Sequence, residues 1–196
     1  MLKKIKTKKQ LRLYKKYVIN EYRLTKKQID LIDKYIEKLI RNNQQYNLVG
    51  RSTITNVWDR HINDSLQLSE YIAKKSTIID LGTGAGIPGV ILSIIGYYNI
   101  LLVDSKLKKI NFIREFATEN NIQIKTICTR VEKIKNQKFD TIVCRAFAPL
   151  SKLLDYSLFF TKKNTSLLFL KGRNVNNEIK DAKKLFTFKY DLFPSK

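Results

Sequence analysis

From residue 76 onward the apolar pattern of the chain changes from helical spacing to short β-rich runs separated by stretches long enough for a helix. The runs fall at Thr77 to Leu81, Ile100 to Val103, Ile124 to Cys128, Thr141 to Cys144 and Ser166 to Leu170. Helices are expected between and after them, at Pro88 to Ile95, Leu107 to Asn120, Leu150 to Phe160 and Val175 to Leu185. Strands alternating with helices form βαβ units, and right-handed crossovers then give a parallel sheet with helices on both faces. This α/β, Rossmann-like arrangement places ligands at the carboxyl ends of the strands.

Upstream of that region the spacing is helical. Thr25-Lys26-Lys27-Gln28 has the form of a capping box and opens a helix with the stripe Ile29, Ile32, Ile36, Leu39 and Ile40, running to about Asn43. A turn at Asn47 to Ser52 precedes a second helix that carries Val57, His61, Asp64, Leu66 and Leu68. The first 27 residues hold eleven Lys or Arg against Glu21 alone, with Leu11, Tyr14, Val18 and Tyr22 at helical spacing. A basic amphipathic helix is expected there, the alternative being a frayed tail. Residues 1–43 thus read as a basic helical extension and 44–196 as the α/β domain, in one globular unit.

The chain carries 38 Lys+Arg against 17 Asp+Glu, a formal charge of +21. Such an excess draws polyanions and points to nucleic acid or an anionic membrane surface, against a compositional reading in which Lys, Ile and Asn are simply abundant throughout. No apolar run approaches the roughly 20 residues that span a bilayer, and Met1 to Lys6 lacks the apolar core of a secretory signal. A cytoplasmic monomer without membrane contact is expected. Cys128 and Cys144 form no C-x-x-C pair, so neither a disulfide framework nor a metal site is indicated, and both are expected to be buried thiols.

The segment Asp80-Leu81-Gly82-Thr83-Gly84-Ala85-Gly86-Ile87-Pro88-Gly89 closes the first strand and opens a helix, the setting of a nucleotide-binding glycine turn. Its glycines satisfy G-x-G-x-x-G and by themselves permit two cofactors. Asp80 separates them, because a carboxylate beside the turn repels a pyrophosphate and attracts the ammonium and sulfonium of S-adenosylmethionine. Asp104, 22 residues beyond Gly82 and at the end of the next strand, is placed to accept ribose hydroxyls of either cofactor. After the third strand, Val131 is positioned to pack on an adenine, with Glu132 or a backbone amide to read its edge. On chemistry alone Glu132 reads equally well as a helix-start carboxylate. Arg145, ending the fourth strand, is a poor core residue and a good phosphate or base contact.

Several separate segments together resemble one family. They are Tyr46-Asn47-Leu48, Arg60-His61-Ile62-Asn63-Asp64-Ser65-Leu66, the Asp80 to Gly89 turn, Leu102-Val103-Asp104-Ser105, Arg130-Val131-Glu132, Arg145-Ala146-Phe147 and Leu170-Lys171-Gly172. The family is that of the bacterial small-subunit ribosomal RNA guanine-N(7) methyltransferases, also called glucose-inhibited division protein B. The resemblance implies a class I S-adenosylmethionine-dependent methyltransferase with a seven-stranded sheet preceded by helices. It implies as substrate a guanine in the decoding-region loop of 16S ribosomal RNA; free RNA, the small subunit and an assembly intermediate all stay open as the form in which it is met.

The same resemblance implies cofactor contacts from Gly82, Ile87, Asp104, Val131, Glu132 and Arg145, to which the glycine turn itself adds Asp80 and Gly84. Arg145 and Lys171 are expected on the substrate side, orienting the base or a flanking phosphate; His61 and Asp64, one helical turn apart, are further candidates there that could pair with each other, and His61 reads equally as a packing group or as a base. Two departures stand out: a strongly basic N-terminus, and a chain that reaches Phe193-Pro194-Ser195-Lys196 where the closing antiparallel hairpin of the family should begin. Two other readings stay open at this stage, a nicotinamide-dependent oxidoreductase and a noncatalytic RNA-binding or ribosome-assembly protein on the same fold.

Overall fold

A computed structural model describes residues 7–196; the first six residues, with Lys3, Lys4 and Lys6 of the basic stretch, lie outside the described residues. Five strands form one wholly parallel sheet in the order β3-β2-β1-β4-β5. They are β1 (Ile78–Leu81), β2 (Ile100–Asp104), β3 (Lys125–Cys128), β4 (Thr141–Arg145) and β5 (Ser166–Leu170), each within a residue or two of its sequence expectation. Crossover helices α5 (Gly89–Ile94), α6 (Leu107–Glu119) and α7 (Leu150–Leu158) join them, and α8 (Val175–Lys183) follows β5.

Alternation along the strands sorts the core into two layers, as period-2 side-chain geometry requires. Ile78, Ile100, Leu102 and Val143 pack with the N-terminal helices, α5 and α6, whereas Ile79, Leu81, Leu101, Val103 and Cys144 pack under Leu153, Tyr156 and Phe160. Helices therefore cover both faces. Strand order reverses at β1, between β2 and β4, so the carboxyl end of β1 is the switch point at which such sheets take ligands.

The N-terminal helices α1 (Lys8–Glu21) and α2 (Lys26–Tyr46) are built into this core rather than appended to it. Thr7 with Gln10 and Thr25 with Gln28 form reciprocal capping boxes. Val18, Ile32, Tyr35 and Leu39 are fully buried. Helix α2 runs three residues past Asn43 and ends at Asn47, which takes the left-handed conformation, while Asn43 turns inward to accept the amide of Val49.

The next segment departs from expectation. A short helix α3 (Arg51–Ile54) begins within the last two residues of the predicted turn. The predicted single helix is a π-helical turn at Trp58–Asn63, one α turn α4 (Asp64–Leu66) and a 3-10 turn at Gln67–Glu70. The apolar spacing of Val57, Leu66 and Leu68 does not register the extra residue that a π turn accommodates.

Cys128 also departs from expectation: it is exposed, because β3 is an edge strand and Cys128 is its last residue, while Cys144 in the inner strand β4 is buried. Among the described residues no strand follows β5, no helix is long and apolar enough to cross a membrane, and no cluster of His, Cys, Asp or Glu is spaced for a metal ion.

Candidate active site

The glycine turn is held from below by its own acid. Asp80 is fully buried, and its Oδ2 accepts the Thr83 hydroxyl at 2.6 Å and the Gly89 amide at 2.9 Å. A Cβ on Gly89 would stand 2.8 Å from that same oxygen and 2.7 Å from Leu102, so glycine is the residue that lets the helix start approach the acid. The other oxygen, Oδ1, is buried with no partner. Burial, partly offset by the two hydrogen bonds, pushes the Asp80 carboxyl up to about 7.

Gly82 (φ +65°) and Gly84 (φ +62°) both use the left-handed region. The bare face of Gly82 lies against the ring of Phe147, from the loop after β4. The Gly84 amide donates to Asp104 Oδ2 at 3.0 Å, and Lys106 donates its amide to Oδ1 at 2.9 Å. Asp104, nearly buried, thus ties the turn to the end of β2, with Lys109 Nζ 3.8 Å away. A group not legible in the sequence completes the turn: Tyr35 of α2 donates its phenol to the Ala85 carbonyl at 2.9 Å in a fully buried position.

The remaining expected cofactor residues divide. Ile87 and Val131 are buried in the two core layers at 4% and 3% exposure, so both shape the floor of the site more than its surface. Glu132 projects from the turn Val131–Lys133 after β3 and accepts the Tyr156 hydroxyl at 2.6 Å, a bond that holds its carboxyl below the usual range. Tyr156 in turn lies 5.9 Å, centroid to centroid, from Phe147. The rings link the Glu132 edge to the Gly82 edge.

Beside this, a cleft of about 520 Å³ opens between the ends of β4 and β5, lined by Arg60, Asp64, Arg145, Phe147 and Lys171 among others. Arg145 donates from Nη1 to His61 Nδ1 at 2.6 Å and from Nη2 to the Arg60 carbonyl at 2.7 Å. His61 and Asp64 do not pair. The His61 ring lies between Arg145 and Thr53, and Asp64 accepts the Ser195 hydroxyl instead. Burial, with Arg145 and Arg60 adding to it, pushes the His61 imidazole down to about 3. Lys171 bonds to Glu178 of α8 and donates to the Ala148 carbonyl, which braces the loop that carries Phe147. Glu178 also accepts the Leu150 amide at 2.8 Å, capping α7, a role its place in the sequence does not announce.

Comparison with known proteins places this geometry in context. The family model described as "GidB: rRNA small subunit methyltransferase G" matches residues 28–192. Ribosomal RNA small subunit methyltransferase G of Orientia tsutsugamushi (strain Boryong) is 38% identical over 175 residues, covering 89% of this chain and 87% of that protein. The crystal structure of a ribosomal protein L11 methylase from Lactobacillus delbrueckii subsp. bulgaricus superposes with a TM-score of 0.54 at 23% identity, covering 62% of this chain and 65% of that one. Pyrococcus horikoshii TYW2, solved with MeSAdo, superposes with a TM-score of 0.53 at 11% identity, over 63% and 51% of the two chains. These two likenesses bear on the fold alone.

Proposed function

Because the chain belongs to the GidB family of small-subunit ribosomal RNA methyltransferases, we propose that it methylates N(7) of a guanine in the decoding-region loop of 16S ribosomal RNA, using S-adenosylmethionine. The observation that carries the reading is a juxtaposition. Asp80, with its unpaired buried oxygen, and Arg145, with a fixed guanidinium, stand at the ends of the directly paired strands β1 and β4. One is suited to a cationic cofactor, the other to an electron-rich base. We propose further that the protein acts as a monomer, in the cytoplasm, on 16S ribosomal RNA or the small subunit.

The residues present fit S-adenosylmethionine. A buried carboxylate oxygen without a partner calls for a donor or a cation, and the cofactor's ammonium supplies both. Gly84 leaves its main chain open, with nothing closer than 4.0 Å to where a Cβ would stand, Asp104 retains lone pairs beyond the two amides it accepts, and Glu132 stands in the turn after β3. The cofactor supplies the electrophilic methyl group. A pyrophosphate would meet Asp80 instead of a cation, which disfavours a nicotinamide cofactor, and a site with these groups intact is at odds with a noncatalytic scaffold.

Guanine N(7) carries an in-plane lone pair at the Hoogsteen edge and loses no proton before it attacks. The chain therefore has to align rather than deprotonate. The groups around the cleft suit that task, since each already has a partner: His61 is capped by Arg145, Lys171 by Glu178 and Asp64 by Ser195. Arg145 orients the base or a flanking phosphate, and Phe147, at the rim of the cleft and half exposed, offers a face on which an unstacked base can rest.

Two results are expected. Cofactor affinity should fall as pH drops below about 7. Protonation of Asp80 removes the negative charge facing the cofactor, and binding, which favours the carboxylate, should release a proton. Calorimetry in buffers of differing ionisation heat reads that release. Affinity independent of pH across this range contradicts the placement of the ammonium at Asp80.

The second concerns α1. Its exposed Lys8, Lys9, Arg12 and Lys16 supply RNA affinity that is independent of sequence. Deleting the helix would expose the pocket of fully buried Val18, so neutralisation of these four side chains to Gln is the cleaner variant. RNA affinity should drop and the slope of log affinity against log salt flatten by up to about four, with cofactor affinity unchanged. An unaltered slope would make the charge of α1 compositional.

A further inference from the structure

The only histidine of the chain has a geometry that assigns it a single role. A guanidinium has donors and no acceptor. At 2.6 Å from Arg145 Nη1, the His61 Nδ1 must therefore be the acceptor. A ring that accepts at Nδ1 and is neutral carries its proton on Nε2, which donates to Thr53 Oγ1 at 2.8 Å. The Thr53 hydroxyl in turn donates to the Gly50 carbonyl at 2.6 Å. All links run in one direction, from Arg145 through His61 and Thr53 to main chain.

The π-helical turn Trp58–Asn63 supplies both anchors of the guanidinium, the His61 ring for Nη1 and the Arg60 carbonyl for Nη2. Two fixed points define the orientation of a planar group. The turn is in turn braced from within, since Ser65 donates its hydroxyl to the His61 carbonyl at 2.7 Å. Arg145 lines the cleft, so the N–H groups not bound to the π turn are those an occupant meets.

We infer that His61 is a positioning residue that touches neither cofactor nor substrate: as a neutral imidazole accepting at Nδ1, it sets the direction in which Arg145 presents its guanidinium to the target guanine. The inference rests on the reading above that Arg145 faces the base. It excludes His61 as a general base, because the lone pair such a base would use is committed to Arg145.

The test uses His61→Asn, His61→Gln and His61→Leu in the full chain. The Asn side chain places its amide oxygen near the position of Nδ1, whereas that of Gln reaches toward Nε2. The Asn variant should keep most of the wild-type kcat on small subunits. The Gln and Leu variants should lose about tenfold or more, as loss of a hydrogen bond to a charged group implies, with Asn and Gln sharing the same Tm. A long-range proton–nitrogen spectrum of protein carrying isotope-labelled histidine, recorded at neutral pH, needs no assignment and should show Nε2 protonated and Nδ1 bare.

A proton on Nδ1, a Gln variant as active as the Asn variant, or a loss of activity that tracks Tm across all three variants overturns the inference. The spectrum is read on the protein alone. Its outcome is thus separate from that of the reaction, which fails on its own terms if wild-type protein leaves N(7) unmethylated.

Discussion

Gly82→Ala should lower the affinity for S-adenosylmethionine by about a hundredfold or more, which at about 1.4 kcal/mol per tenfold is near 3 kcal/mol, while leaving RNA affinity measurable. Two effects combine. Gly82 holds φ at +65°, where an L side chain costs about 1–2 kcal/mol. A Cβ there would also stand 2.3 Å from Phe147 Cδ2 and 2.9 Å from its Cβ. The aromatic ring cannot clear that contact by rotating its far end, so either the 145–149 loop or the turn must move. Gly84→Ala is the control. It has nearly the same φ, +62°, but its Cβ would meet nothing closer than 4.0 Å, so only backbone strain remains and the loss should be distinctly smaller. Equal losses at the two positions, by calorimetric titration, would show that the contact with Phe147 is irrelevant to the cofactor.

Arg145→Lys should cut kcat on small subunits by about a hundredfold, in the range expected when two hydrogen bonds from a charged group are lost. Lysine keeps the charge but not the planar fork, so it cannot bond to His61 Nδ1 and the Arg60 carbonyl at once. The loss should fall on kcat more than on the RNA dissociation constant, because charge attraction to the polyanion survives the change. An Arg145→Lys enzyme of near wild-type kcat would mean that this residue contributes charge and not direction.

What the sequence made legible, and what it hid, follows the range of the interactions concerned. The strands β1 to β5 and the capping box at Thr25 are local patterns of spacing and composition, and they are present within a residue or two of where those patterns put them. The turn from Asp80 to Gly89 is also local, and its acid and glycines act on one another across nine residues. The contacts that organise the cleft are not local. Arg145 meets His61 across 84 positions, Tyr35 meets Ala85 across 50, and Lys171 is neutralised by a Glu178 that reads as an ordinary helix-start carboxylate.

The expected pairing of His61 with Asp64 failed for a related reason. It assumed a regular α-helix, and the π turn at Trp58–Asn63 gives the ring to Thr53 and Arg145. Cys128 was misjudged because thiols are most often buried and nothing in Lys125–Cys128 marks an edge strand. Val131 and Ile87 carry the apolar character a purine face would need, yet burial in the core explains that character without a ligand.

In the proposed function Asp80 faces the cofactor and Arg145 orients the base, so both roles meet in one reaction. Labelled S-adenosylmethionine offered with wild-type protein to small subunits lacking the modification, followed by chemical cleavage at N(7)-methylguanine, examines that meeting point directly. Label in 16S ribosomal RNA, with cleavage at one guanine of the decoding-region loop, is the expected result. Label on a ring carbon or a ribose oxygen, or no transfer to the small subunit at all, would contradict it.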